Sequence, residues 1–308
     1  DAYGASAVHN TLTVTGTTQV KALHATNSSV FDSNLTVSGN LAVNSALSTA
    51  SLALSGNATV GGTLGVTGVA TLANNTLVGG TLDTYGLATV HNNATVTGTT
   101  TLVGNVLNRD NVLTLGTLNT FGNQHTHANL DVTGSTRVAG ATSLMGTLGV
   151  TGVATLANNT LVGGTLDTYG LATVHNNATV TGTTTLVGNV LNRGNVLTLG
   201  TQNTFGNQHT HANLDVTGST RVAGATSLMG TLGVTGVATL ANNTLVGGTL
   251  DAYGASAVHN TLTVTGTTQV KALHATNSSV FDRNVTTSGT LSVLNSLDVN
   301  TKDRKSTR

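Results

Sequence analysis

Cut every six residues, positions 63–146 read TLGVTG VATLAN NTLVGG TLDTYG LATVHN NATVTG TTTLVG NVLNRD NVLTLG TLNTFG NQHTHA NLDVTG STRVAG ATSLMG. The fourteen hexads run without a gap. The sixth slot is Gly in ten of them and Asn in two, with Asp110 and Ala128 once each. Slots two and four hold Leu, Val, Ala and Thr, one Gln and one Asn, and never a charge. Slots three and five hold every His and Arg of the stretch, two of its three Asp, and both aromatics, Tyr85 and Phe121. Such alternation sends slots two and four to one side of a short strand and slots three and five to the other. The sixth slot is then a bend, where Gly and Asn suit a residue at positive φ. A strand that turns at every sixth residue winds into a β-solenoid. Its turns stack ~4.8 Å apart and bury one side of each strand.

Longer periods refine this reading. Residues 63–146 recur as 147–230, a period of 84, and the copies differ only at Asp110/Gly194 and Leu118/Gln202. A third, partial copy covers 231–266. Asn75, Asn93, Asn111 and Asn129 open every third hexad, a spacing of 18, and Tyr85 and Phe121 stand 36 apart. Three hexads make one lap of a triangular prism, with Gly68, Gly80, Gly86, Gly98 and Gly104 at corners. The four Asn at their own corner would stack as a hydrogen-bonded ladder. Two architectures fit. In a single-chain triangular solenoid, hexad n lies on hexad n+3. In an intertwined homotrimer, three chains wind about one axis. The 18-residue period favours the first. The 84-residue block favours the second, because fourteen hexads are not a multiple of three and only in a trimer are all faces equivalent.

The chain divides on this pattern into an N-terminal β-repeat segment (1–56), a regular hexapeptide β-helix (57–266), a register-broken repeat (267–300) and a basic tail (301–308). The steps from Gly16 to Gly39 and from Gly39 to Gly56 are 23 and 17, each one short of a multiple of six. The break is marked by KALHATNSSVFD at 21–32, which recurs near the C-terminus and suggests a loop, a bulge or a change of geometry. Residues 1–32 recur as 251–282, where Thr249-Leu250 precede them, so Asp1 falls inside a repeat and upstream sequence is expected. The tail residues Lys302, Arg304, Lys305 and Arg308 read as a solvated end, or more pointedly as a docking peptide.

Composition narrows the function. Of 308 residues, 38 are Gly, none is Pro, Cys or Trp, and only 7% are charged. There is no Glu and no Ile. Helices and disorder are both disfavoured by this mixture. Net charge is +0, so neither nucleic acid nor an anionic membrane is expected as a partner. No apolar run is long enough for a membrane helix, and no membrane insertion is expected. So weakly charged a surface favours an assembly.

Chemistry has few candidates. His125-Thr126-His127 and His209-Thr210-His211 place two imidazoles on one side of a strand, a possible metal pair. They occupy slots three and five, the outward side, so a metal on a central axis is out of their reach and no cofactor is expected. Asn-x-Thr/Ser triplets from Asn27 to Asn284 are acceptors for glycans in a secreted chain, and equally a product of corner chemistry. No nucleophile elbow, zinc thiolate or phosphate-binding loop is present, so no enzyme is expected. An ice-binding face would need outward Thr-x-Thr on every coil, and Thr95/Thr97 and Thr179/Thr181 supply it once per block.

Strings such as TLTVTGTTQV (11–20), NLTVSGNLAV (34–43), NATVTGTTTLVG (93–104) and NLDVTGSTRVAG (129–140) resemble the Thr/Val/Gly repeats of fibre proteins of tailed phages and large algal viruses. That resemblance implies an elongated, often trimeric, structural or host-contacting appendage, and so tips the expectation to the homotrimer. The expected role is a non-enzymatic fibre or filament, self-associating, at a virion surface or outside the cell. The alternative is an adhesin that binds host receptor or glycan through Tyr85, Tyr169, Phe121 and Phe205.

Overall fold

The computed structural model describes residues 5–299, so the tail at 301–308 lies outside the described residues. Among the described residues there are 46 strands, most of them three residues long, and no helix. The chain forms two compact units, Asp1–Val162 and Gly163–Arg308, and each is a stack of three-sided coils.

In the first unit every pairing is parallel, and from Leu52 onward each strand pairs three hexads along the chain, while around the long strands Ser29–Val37 and Leu47–Leu54 one strand spans two sides of a coil. Leu64–Val66 pairs with Leu82–Thr84, which pairs with Thr100–Leu102, then Leu118–Thr120, then Thr136–Val138. Partners such as Leu82↔Thr100 lie three hexads apart. Hexad n therefore lies on hexad n+3 of the same chain, the winding of a single-chain parallel β-solenoid. The ladder continues around the bends, where Gly80 N–H donates to Gly62 C=O at 3.0 Å and Gly98 N–H to Gly80 C=O at 3.1 Å. Each coil thus satisfies the backbone of the next, including at the corners.

The inward slots are those the alternation predicts. Val138 and Leu130 are 0% exposed, whereas Asp83 is only half-buried and Arg137 is open to solvent. Burial of slots two and four, repeated coil after coil, is the main stabilising term. The Gln and the Asn of the inward set are paired inside, whereas several inward Thr hydroxyls, such as those of Thr84, Thr100 and Thr114, have no hydrogen-bond partner among the described residues. Gln124 Nε2 donates to Thr126 Oγ1 at 3.0 Å, Thr120 Oγ1 donates to Gln124 Oε1 at 3.3 Å, and Asn108 Nδ2 lies 3.4 Å from Thr126 Oγ1.

The corner glycines stand where the pattern puts them, but for a different reason. Gly68, Gly80, Gly86, Gly98 and Gly104 all keep φ outside the left-handed region. What excludes a side chain is the coil below. A Cβ on Gly80 would lie 2.8 Å from Gly62 O, and one on Gly98 would lie 2.6 Å from Gly80 O. Glycine is required because backbone stacks directly on backbone.

The register breaks are short corners. Between the inward residues Val20 and Leu23 only Lys21-Ala22 intervene, and between Thr49 and Leu52 only Ala50-Ser51. An ordinary corner has three residues. A coil containing a short corner is therefore one residue shorter than three full hexads, as the pairings Thr18↔Leu35 and Leu35↔Leu52 show. The strand Leu47–Leu54 runs through its short corner without interruption, whereas at Lys21 the strands Thr18–Val20 and Ala22–Ala25 are separated by one residue; opposite Ala50 the register shifts between Phe31 and Asn34. The segment 21–32 is neither a loop nor a new geometry.

The second unit repeats this plan. Leu166–Thr168, Thr184–Leu186, Gln202–Thr204 and Thr220–Val222 pair in sequence. Its short corner is Lys271-Ala272, and the pairing Ser256↔Leu273 is again one short of three hexads. The last coils loosen. Leu291, Leu297 and Val299 occupy inward slots yet are 39%, 44% and 42% exposed, because among the described residues no further coil covers them.

Candidate functional site

Along the regular coils the interior is filled, and at the C-terminal end of the described coils Phe281, Leu291, Leu297 and Val299 line an open cavity of about 790 Å³. An interior cavity of about 30 Å³ lies between Ala88, Ala94, Val106 and Leu118, room for roughly one water. The three outer faces of the first unit differ in character.

One face carries strands 70–72, 88–90, 106–108, 124–126 and 142–144, and with them His91, His125 and His127. His125 follows Leu107 and precedes Ser143 in its column. His125 Nε2 and His127 Nε2 are 2.9 Å apart, with ring centroids 4.6 Å apart and planes at 88°. One ring donates and the other accepts. His209 and His211 repeat the arrangement at 4.6 Å and 87°. Both pairs point outward, while Gln124 and Thr126 fill the interior between them. Among the described residues no third His or Asp joins either pair in a group able to hold a metal ion.

A second face carries Asp131. In its column it sits between Leu113 and Gly149. Its carboxylate folds over Gly149, where a Cβ would lie 2.6 Å from Asp131 Oδ1. Partial burial there raises the carboxyl pKa from its ordinary value, although the residue as a whole stays exposed. Asp215 lies over Gly233 in the same way, with the same shift and cause. Beside it, Gly233, Asp251 and Tyr253 line a shallow depression of about 180 Å³.

The third face carries strands 82–84, 100–102, 118–120 and 136–138. Its outward slots hold Asp83, Tyr85, Val103, Phe121 and Arg137. Tyr85 and Phe121 are 60% and 52% exposed, and Tyr169 and Phe205 in the second unit 61% and 52%. The aromatics singled out in the sequence are therefore available for contact. Asp83 and Arg137 have no ion-pair or hydrogen-bond partner among the described side chains.

The corner asparagines Asn75, Asn93, Asn111 and Asn129 are exposed. A ladder does form, chiefly from side chain to backbone. Asn129 N–H donates to Asn111 Oδ1 at 3.1 Å, and Thr147 N–H to Asn129 Oδ1 at 2.8 Å. The carbonyls of Asn75 and Asn93 accept from Ala58 and Thr76 N–H, both at 3.0 Å. A link from side chain to side chain occurs one slot earlier, where Asn92 Nδ2 donates to Asn74 Oδ1 at 3.0 Å. A second ladder, not singled out in the sequence, joins Asn123 N–H to Asn105 Oδ1 at 3.0 Å and Ala141 N–H to Asn123 Oδ1 at 2.9 Å. Its signal was present, since Asn105 and Asn123 also open hexads 18 apart.

Set against known proteins, no family model matches this chain, and no curated protein and no solved structure is significantly similar to it.

Proposed function

We propose that this chain is a non-enzymatic structural protein, a stiff solenoid that acts as spacer or shaft in a fibre or filament. Its place is a virion surface or an extracellular appendage, and its main partner is itself. One observation carries the reading: apart from the end coils, the described strands are paired on both sides within the chain, to one coil back and one coil forward. Continuous stacking gives stiffness, and each coil protects the edge of the next. The near-identity of 63–146 and 147–230 supports a role in which length matters more than one shaped pocket. Because the ladders close within the chain, assembly proceeds from complete solenoids, side by side as a trimer or end to end as a filament.

Mass photometry with negative-stain microscopy tests this. Multiples of the 30.7 kDa chain, seen as rods or filaments, are expected. A compact 30.7 kDa particle at every concentration would remove the reading. The exposed Tyr85, Tyr169, Phe121 and Phe205 favour a second reading, a surface adhesin that stacks host glycan or receptor on these rings. Glycan-array binding that Tyr85→Ala with Tyr169→Ala abolishes is its expected signature, and a blank array removes it.

A further inference from the structure

We propose that the face formed by strands 82–84, 100–102, 118–120 and 136–138 is a self-recognition surface. Its occupant is a second copy of this chain, face to face, with the two coil axes antiparallel. This rests on the reading of the chain as a self-associating structural element, and adds the surface and the orientation.

The columns of the face carry the argument. Asp83 stands at one end of slot three and Arg137 at the other, three coils apart by the pairings 83↔101, 101↔119 and 119↔137. At ~4.8 Å per coil they are too far apart to pair within the chain. In slot five the order is Tyr85, Val103, Phe121, Ala139, so large and small side chains alternate along the column.

Two flat faces can meet about a twofold axis in either of two ways. With the axis along the coil stack, each coil meets its own copy: Asp83 comes level with Asp83 and Arg137 with Arg137, which repels. With the axis along the strands, midway between 100–102 and 118–120, the coil order reverses and the slots are kept. Asp83 then faces Arg137 of the other copy, and Arg137 faces its Asp83. Tyr85 meets Ala139, and Val103 meets Phe121. Both charges find partners, and each large side chain lies over a smaller one. The face is self-complementary in charge and in bulk for this orientation alone.

The same residues recur from Asp167 to Ala223 in the second unit with matching exposure, Tyr169 at 61% and Phe205 at 52%. Each unit therefore presents its own copy of the surface. A single face of a few coils is small beside the ~800 Å² per partner of a stable interface, so pairing strengthens as more faces engage.

Charge reversal tests the proposal on the full chain, read by sedimentation velocity at low salt with far-UV circular dichroism as the check of fold. Asp83→Arg with Asp167→Arg, and separately Arg137→Asp with Arg221→Asp, should each weaken self-association more than about tenfold. Mixing the two variants should restore it, since one then presents only cations and the other only anions. A geometric test uses the absence of native Cys. Tyr85→Cys with Ala139→Cys should give a disulfide-linked dimer, whereas Tyr85→Cys alone should not. Those cysteines are three coils apart within a chain, beyond disulfide reach. If both reversed variants associate like the wild type, or if Tyr85→Cys alone crosslinks, this surface is not the one used, and the structural-fibre reading survives through other contacts. A wild type that never associates overturns both.

Discussion

In the first copy of the 84-residue block, Asp110 turns its carboxylate on its own neighbour, and Asn111 N–H donates to Asp110 Oδ1 at 3.1 Å. In the second copy the corner is Gly194, and Asn195 N–H reaches instead to Asn177 Oδ1, one coil below, at 2.9 Å. Inside, Leu118 of the first copy is replaced by Gln202, and both are 1% exposed. Gln202 Nε2 donates to Gln208 Oε1 at 2.6 Å, and Thr204 Oγ1 donates to the same oxygen at 3.1 Å. Gln202 Oε1 and Gln208 Nε2 are left without partners. The corner exchange reroutes one hydrogen bond and loses none. The interior exchange gains two bonds from Gln202 Nε2, loses the two that Thr126 accepts in the first copy, and strands Thr210 Oγ1 as well. Corners in this fold are permissive where the column already carries side chains, and the interior is permissive only towards neutral groups that can be partnered.

That contrast can be broken most forcefully at position 202. Gln202→Glu puts a carboxylate in the same dry space, and we expect a loss of about 3 kcal/mol or more at neutral pH. Burial raises the pKa of such a group, so its cost is absent while it is protonated and grows as pH rises through the folded value. Thermal melts at pH 4 and pH 8 check this, and equal melting temperatures at the two would contradict a sealed site. Gln202→Leu, which restores the first copy's residue and removes a stranded oxygen, should be neutral or stabilising by up to about 1 kcal/mol.

The corners supply the next effect in size. Gly98→Ala forces a methyl group to within 2.6 Å of Gly80 O in a column made of glycine alone, and should cost about 1–3 kcal/mol. Gly194→Asp, which copies Asp110, puts a Cβ as close to the coil below, 2.5 Å from Asn176 O, but should cost less than about 1 kcal/mol, because Asn158, Asn176 and Ala212 already place side chains in that column and the backbone there has adjusted to them. Chemical denaturation of the two variants side by side decides the matter, and an equal loss in both would remove the distinction between columns.

The smallest effect is common to both copies. Asp131 and Asp215 have carboxyls raised by burial. For such groups the protonated form is favoured by folding, so the stability they contribute is full below the unfolded pKa and is lost as pH rises through the folded one. Asp131→Asn with Asp215→Asn should therefore raise the melting temperature slightly at pH 7 and leave it unchanged near pH 3. A fall at pH 7 would show that the carboxylates are held by favourable contacts instead.

Much of this was legible in the sequence. Alternation about Leu82, Asp83 and Thr84 sets which residues are inside, and the recurrence of Asn at every third hexad gives the lap. The outward setting of His125 and His127 follows from the same rule. What the pattern does not contain is distance between coils. The need for glycine at Gly98 comes from a carbonyl one coil away, not from local φ, so a local reading assigns the right residue for the wrong reason. The one-residue deficits around Gly39 were visible as arithmetic. Their resolution as the two-residue corners Lys21-Ala22 and Ala50-Ser51 depends on strands that keep their pairing across the bend, and that is a property of neighbours. The shift at Asp131 likewise needs Gly149, one full coil further along the chain, to be recognised as its floor.

The equivalence of successive hexads has an evolutionary corollary. A duplication or deletion that adds or removes any whole number of hexads hands the following residues to a strand of the same kind, facing the same kind of interior. Such a gene can change the reach of its product by unequal recombination, in steps of one side of the prism, without passing through an unfolded intermediate sequence. Two copies that differ at only two positions in 84 are what that mode of growth leaves behind.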